Sequence, residues 1–221
     1  MNIPSHAPLH LLHQAANGTL ATHSREPHGY PYPTALPFAP TSAHVPMVLI
    51  SHLAEHTRNL QSDARAGFLV SHSPSDAVFE GQRLTMLGSF SQAPADSVTE
   101  MSHRYLRYHP DAARYLELGD FTLWVMSVER MRYIGGFGAM GWLDGSALDE
   151  SEAISEENEL ELLASFSDSS LRPPELELIG VDKYGCDLRS SGVRNRFTFD
   201  KPKVTQVELN VALIDCIERH R

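Results

Sequence analysis

The chain has 221 residues, 42% hydrophobic and 21% charged, which is ordinary for a globular protein with a sizeable core. A formal net charge of −10 argues against non-specific nucleic-acid binding, and no apolar run approaches the length of a membrane span. Met1–Leu20 lacks a basic start and a continuous apolar stretch, so it does not read as a signal peptide, and two cysteines, Cys186 and Cys216, make no disulfide framework. The expected location is the cytoplasm.

Residues 5–16 predict a helix with Leu9, Leu12 and Ala16 on one face and Gly18 just past its end. Strand patterns follow at Thr19–His23, Tyr30–Phe38, Val45–Ile50, Gly67–Ser71, Leu84–Ser91 and Phe121–Ile134. Gly and Pro turns between them favour antiparallel pairing over βαβ units. Helices are expected at Ala54–Ser62 and Ala95–Tyr108. Residues 1–145 therefore read as a barrel of about six antiparallel strands.

Residues 146–221 read as a small α+β domain that opens with an acidic linker. Tyr133–Leu171 holds no Lys or Arg and 9 acids, and the rest of the chain is nearly neutral. Such a run suits a solvated linker, or a surface for a cation or basic partner. Strands are expected at Leu176–Val181 and Arg196–Phe199. Thr205 with Glu208 forms a capping box, and Val207, Val211, Ile214 and Ile217 then make an apolar helical stripe. Lysine occurs only at positions 183, 201 and 203, which excludes a Schiff-base lysine or a Walker-type loop from the first 182 residues.

Chemistry concentrates where the strand at Val45–Ile50 runs into the helix at Ala54–Ser62. A strand-to-helix junction aims free backbone N–H groups and a positive helix end at a ligand. Ser51, His52, His56, Thr57 and Arg58 add hydroxyl, imidazole and guanidinium donors suited to a phosphate or carboxylate, although the same residues would also serve as a capped surface helix. His52 and His56 are four apart, and His10 and His13 three apart, so either pair could supply part of a metal site or stand in solvent. Gly135, Gly136, Phe137 and Gly138 follow a long strand and could turn sharply or approach a flat ligand. Arg104-Tyr105-Leu106-Arg107-Tyr108-His109 could stack on a planar ring or cover one end of the barrel.

Together, Ser51–Leu60, Arg83–Gly88, Arg104–Leu106 with His109-Pro110, Gly119–Phe121 and Gly135–Gly138 resemble the HugZ/HutZ haem-utilisation proteins. These belong to the pyridoxamine 5′-phosphate oxidase-like, FMN-binding split-barrel superfamily. Val181-Asp182 and Gly185–Arg189 resemble the small C-terminal domain of that family. The resemblance implies an α+β protein: a six-stranded antiparallel split β-barrel, a small α+β C-terminal domain, and a homodimer with ligand sites at the subunit interface. It implies haem as ligand, bound and in some members degraded. FMN-dependent redox chemistry and non-catalytic tetrapyrrole binding are the alternatives. In flavin-binding members the segment matching Ser51–Arg58 holds the FMN phosphate, but here Glu55-His56 stands where the oxidases carry Arg-Lys. Haem-degrading members take an axial histidine from a C-terminal segment, which leaves His220 for the iron because no other His follows His109. His52 or His56 could serve instead on side-chain chemistry alone.

Overall fold

The computed structural model describes residues 3, 6–72, 81–136, 139–148 and 153–220. The chain divides into two compact units, Met1–Glu150 and Ser151–Arg221.

The first unit opens with α1 (Ala7–Gln14), whose Leu9, Leu11 and Leu12 are buried. Among the described residues eight strands follow: β1 (Asn17–His23), β2 (Pro31–Pro37), β3 (Ala39–Pro40), β4 (Pro46–Ser51), β5 (Arg65–His72), β6 (Gln82–Gln92), β7 (Phe121–Ile134) and β8 (Met140–Asp144). All pairings are antiparallel, in the order β2-β1-β5-β6-β7-β4-β3, with β8 also on β7. Although four strands separate them in that order, β2 comes alongside β4, so the sheet curls into a half-barrel.

Period-two alternation fills the concave side. Leu20, Phe68, Met86 and Met131 pair across β1, β5, β6 and β7 and are all sealed from solvent. A bulge between Leu87 and Gly88 shifts the β6–β7 register, and there a Cβ on Gly88 would lie 2.0 Å from the Ser127 carbonyl oxygen, so only glycine fits. The six expected strands are β1, β2 and β4–β7. Neither β3 nor β8 was foreseen, because two residues show no alternation and β8 follows a glycine run.

The unit also holds the α-helices α2 (Glu55–Ser62), α3 (Val98–Tyr108) and α4 (Ala113–Leu116). The basic-aromatic segment of α3 binds the chain around β2 and β3. Arg104 Nε donates to Pro40 O at 2.7 Å, His109 meets Phe38 O at 2.7 Å, and Tyr105 donates to Pro37 O at 3.4 Å. It covers the sheet instead of presenting a ring-stacking surface.

The second unit holds α5 (Glu156–Ser167), β9 (Leu176–Asp182), β10 (Gly185–Ser190), β11 (Val193–Thr198) and α6 (Gln206–Arg219), with the sheet ordered β11-β10-β9. The acidic run is not wholly a solvated linker: Glu159 is buried and accepts from Val181 N at 3.2 Å, tying α5 to β9. The capping box forms, with Glu208 N donating to Thr205 Oγ1 at 3.2 Å and Thr205 N to Glu208 Oε2 at 3.0 Å. The expected stripe on α6 is corrected. Val207, Val211 and Ile214 are exposed, and Leu209, Leu213, Cys216 and Ile217 face the core, because the helix is apolar on two sides and the longer row packs better. Arg196 is buried between Asp182 and Asp187, at 2.8 and 2.7 Å. Burial works against its charge, but the two carboxylates more than offset that and hold its pKa above the usual guanidinium range.

Candidate functional site

The junction from β4 into α2 is built around a residue that the donor pattern did not single out, Asp120. It sits just before β7, which pairs with β4, so register brings it beside Ser51. Ser51 Oγ donates to Asp120 Oδ2 at 2.7 Å and accepts from Leu53 N at 3.1 Å. His52 N and Nδ1 both reach Asp120 O, at 2.9 and 3.0 Å. A carbonyl only accepts, so His52 Nδ1 carries the proton of that bond. The signal that could have found Asp120 was its place in the Gly119–Phe121 motif.

Thr57 is buried, and its hydroxyl donates to Ser51 O at 2.6 Å. Asn59, fully buried, donates to Thr22 Oγ1 at 3.0 Å and accepts from Arg25 N at 3.3 Å. Thus α2 is fastened to β4 on one side and to β1 on the other. Glu55 lies 3.6 Å from an Arg25 nitrogen and 4.0 Å from an Arg58 nitrogen, and both arginines remain about half exposed.

His56 differs from every other histidine described. Its Nε2 is closed off from solvent and has no hydrogen-bond partner among the described residues. Burial lowers its pKa, so the ring is neutral at pH 7. His13 and His44 are buried against each other at 2.8 Å, and His72 lies 3.2 Å from Gln14. His13 therefore faces inward to His44. His52 precedes α2, so it and His56 do not share a helix face.

The glycine run makes a hairpin between β7 and β8. Gly135 N donates to Ala139 O at 2.7 Å, and Gly136 takes φ +113°. Phe137 and Gly138 lie outside the described residues. In the second unit, His220 ends α6, is exposed, and directs Nδ1 to Cys216 O at 2.7 Å. That bond fixes the Nδ1–H tautomer and leaves Nε2 free to ligate, the usual arrangement of a metal-binding histidine.

The junction does not suit a flavin phosphate. Both hydroxyls expected to donate to it are already donating internally, and the Glu55 and Asp120 carboxylates would oppose a dianion. The half-exposed Arg25 and Arg58 are the groups at this junction that could pair with a ligand's carboxylates.

Residues 6–150 match the family model described as CREG, beta-barrel. The chloroplastic heme oxygenase HOZ of Arabidopsis thaliana is 29% identical over 119 residues, which are 54% of this chain and 36% of the plant protein. The match thus spans about a third of that relative's length. A heme binding protein from Mycobacterium smegmatis superposes with a TM-score of 0.65 and 24% identity, covering 99% of this chain and 98% of that one. A protein of unknown function from Agrobacterium tumefaciens superposes with a TM-score of 0.77 and 21% identity, covering 97% and 98%. At these identities the two structures speak to fold.

Proposed function

The chain belongs to the CREG β-barrel family, and from that premise we propose that it is a haem-utilisation protein that binds haem at its split barrel. The observation that carries this reading is the 29% identity to a heme oxygenase, and a heme binding protein shares the fold. Arg58 and Arg25 would meet the propionates, and the imidazoles of His52 and His56 lie on the same junction. Ser51 and Thr57 act as scaffold, bonding Asp120 and the β4 carbonyl that shape the site. Gly135 and Gly136 turn the β7–β8 hairpin. Bound haem iron supplies oxygen chemistry when reduced, so degradation is the further step we attach to this reading.

We also propose a homodimer, formed on the convex face of the sheet. Pairing places Ala21, Gly67, Leu87 and Arg130 in one row and Thr19, Leu69, Thr85, Arg132 and Trp142 in the next. Leu69, Leu87 and Trp142 are 39%, 41% and 46% exposed, an apolar patch on the middle strands where a solvated face would be polar. Arg130 and Arg132 stack on Trp142 at 4.6 and 5.7 Å, which holds the indole on that face.

The test is a pair of titrations of the purified chain with hemin and with FMN. A saturable Soret band with no saturable flavin binding supports the reading. Flavin binding alone overturns it. Adding a reductant in air to the haem complex then separates the two outcomes: loss of the Soret band with release of iron marks a degrading enzyme, and a stable spectrum marks a protein that stores or delivers haem.

A further inference from the structure

Arg25 and Arg58 approach one carboxylate from two different elements. Arg25 lies in the turn after β1, and Arg58 on α2. Glu55 opens α2 between them, with Oε1 3.6 Å from a nitrogen of Arg25 and Oε2 4.0 Å from a nitrogen of Arg58. The backbone holds this spacing, because Arg25 N donates to Asn59 Oδ1 at 3.3 Å and Asn59 is buried on α2. The side chains themselves are loosely joined. Both distances exceed a hydrogen-bonded contact, and the two arginine side chains are 45% exposed and that of Glu55 34%, so a solute can reach all three. One carboxylate with an oxygen toward each of two guanidiniums is the arrangement that a ligand's carboxylate would make there. Glu55 also stands in the first turn of α2, where the positive helix end favours an anion. A side chain of the protein therefore fills the place at which the junction would take the anion of a ligand.

From this we infer that Glu55 is the specificity-determining residue of the junction, a built-in competitor of the ligand's anion for Arg25 and Arg58. The inference rests on the haem reading above, in which those arginines meet propionates, and adds which anion they accept. Two guanidiniums and one carboxylate leave a single positive charge. A propionate neutralises it and has only a loose, solvent-screened contact to displace. A phosphate dianion overshoots it and is set against the Glu55 carboxylate. Glu55 thus lowers the affinity for every anion, and lowers it more for a dianion, so the junction selects carboxylates over phosphates.

The experiment titrates the full-length chain and Glu55→Gln, which keeps the shape of the side chain and removes its charge. The probes are hemin, hemin dimethyl ester, whose propionates carry no charge, FMN and inorganic phosphate. In E55Q hemin should bind about two- to fivefold tighter, the size of one exposed ion pair, and FMN and phosphate should gain about fivefold or more. The ester should stay close to its parent affinity, and the hemin gain should shrink at high salt. Adding Arg58→Ala to E55Q should remove most of that gain. Weaker hemin binding by E55Q overturns the inference, since Glu55 would then be holding the arginines in place for the ligand. An equal gain for hemin and its ester overturns it, and so does an unchanged affinity for FMN and phosphate. Where the parent binds hemin, an unchanged hemin affinity in E55Q overturns this inference alone. Absence of saturable hemin binding by the parent overturns the haem reading; the competition at Glu55 is then decided by FMN and phosphate, which must bind E55Q more tightly than the parent. Should E55Q not fold, Glu55→Ala carries the same readouts.

Discussion

Replacing His56 by leucine should make the protein more stable. The parent chain holds a ring nitrogen sealed from solvent with no partner, and leucine fills similar space without a polar atom. Leaving such a group unsatisfied costs about 1–3 kcal/mol, and since His56 is only half-buried the lower half of that range applies. Leucine also favours a helix by a few tenths of a kcal/mol over histidine. The expected gain is therefore about 1–2 kcal/mol, a rise in Tm of about 2–8 °C for a unit of this size. Both tryptophans, Trp124 and Trp142, lie in the first unit, so intrinsic fluorescence during urea or thermal unfolding reads that unit directly. His56→Gln serves as control, because glutamine shares leucine's helix preference but keeps buried polar atoms. H56L should exceed H56Q. A lower Tm in H56L than in the parent, or no difference between the two variants, would refute the reasoning, since the nitrogen would then have a partner worth keeping.

Arg196→Met should cost the second unit about 3–5 kcal/mol, because it leaves Asp182 and Asp187 buried without their shared cation; hydrogen exchange of β10 amides measures it. Leu87→Glu puts a charge in the middle of the convex face and should convert the proposed dimer to monomer by sedimentation velocity, with far-ultraviolet circular dichroism unchanged. Thr205→Ala should destabilise α6 by about 1 kcal/mol through loss of the N-cap. Its pH dependence has a definite sign. Hydrogen bonds from Thr205 and Val204 hold the Glu208 carboxyl below its usual range, so the stability they contribute is present above the unfolded carboxyl value and fades as the pH falls through the lower folded one. Of these bonds T205A loses only the one from the Thr205 hydroxyl, so the gap between parent and T205A should narrow slightly in acid, and a gap that widens there contradicts the cap.

Local elements and the family were legible in the amino-acid pattern alone. Alternation in Leu84–Ser91 and Phe121–Ile134, the Thr205–Glu208 box and the junction from Val45–Ile50 into Ala54–Ser62 all appear where the pattern places them, because neighbours in the chain set them. The motif resemblance to the HugZ/HutZ type of split barrel is borne out by the β-barrel family match and the shared fold. What the sequence left open depended on partners far away in the chain. Which side of α6 packs was decided by the core of the second unit, since both sides are apolar. Whether Ser51 and Thr57 were free donors was decided by Asp120, 69 positions from Ser51 and brought beside it only by the β4–β7 register, and by a backbone carbonyl that has no letter in the sequence. Residue type lists which atoms can bond; only the tertiary structure shows which have already done so, and at this junction that difference turns two expected ligand donors, Ser51 and Thr57, into scaffold.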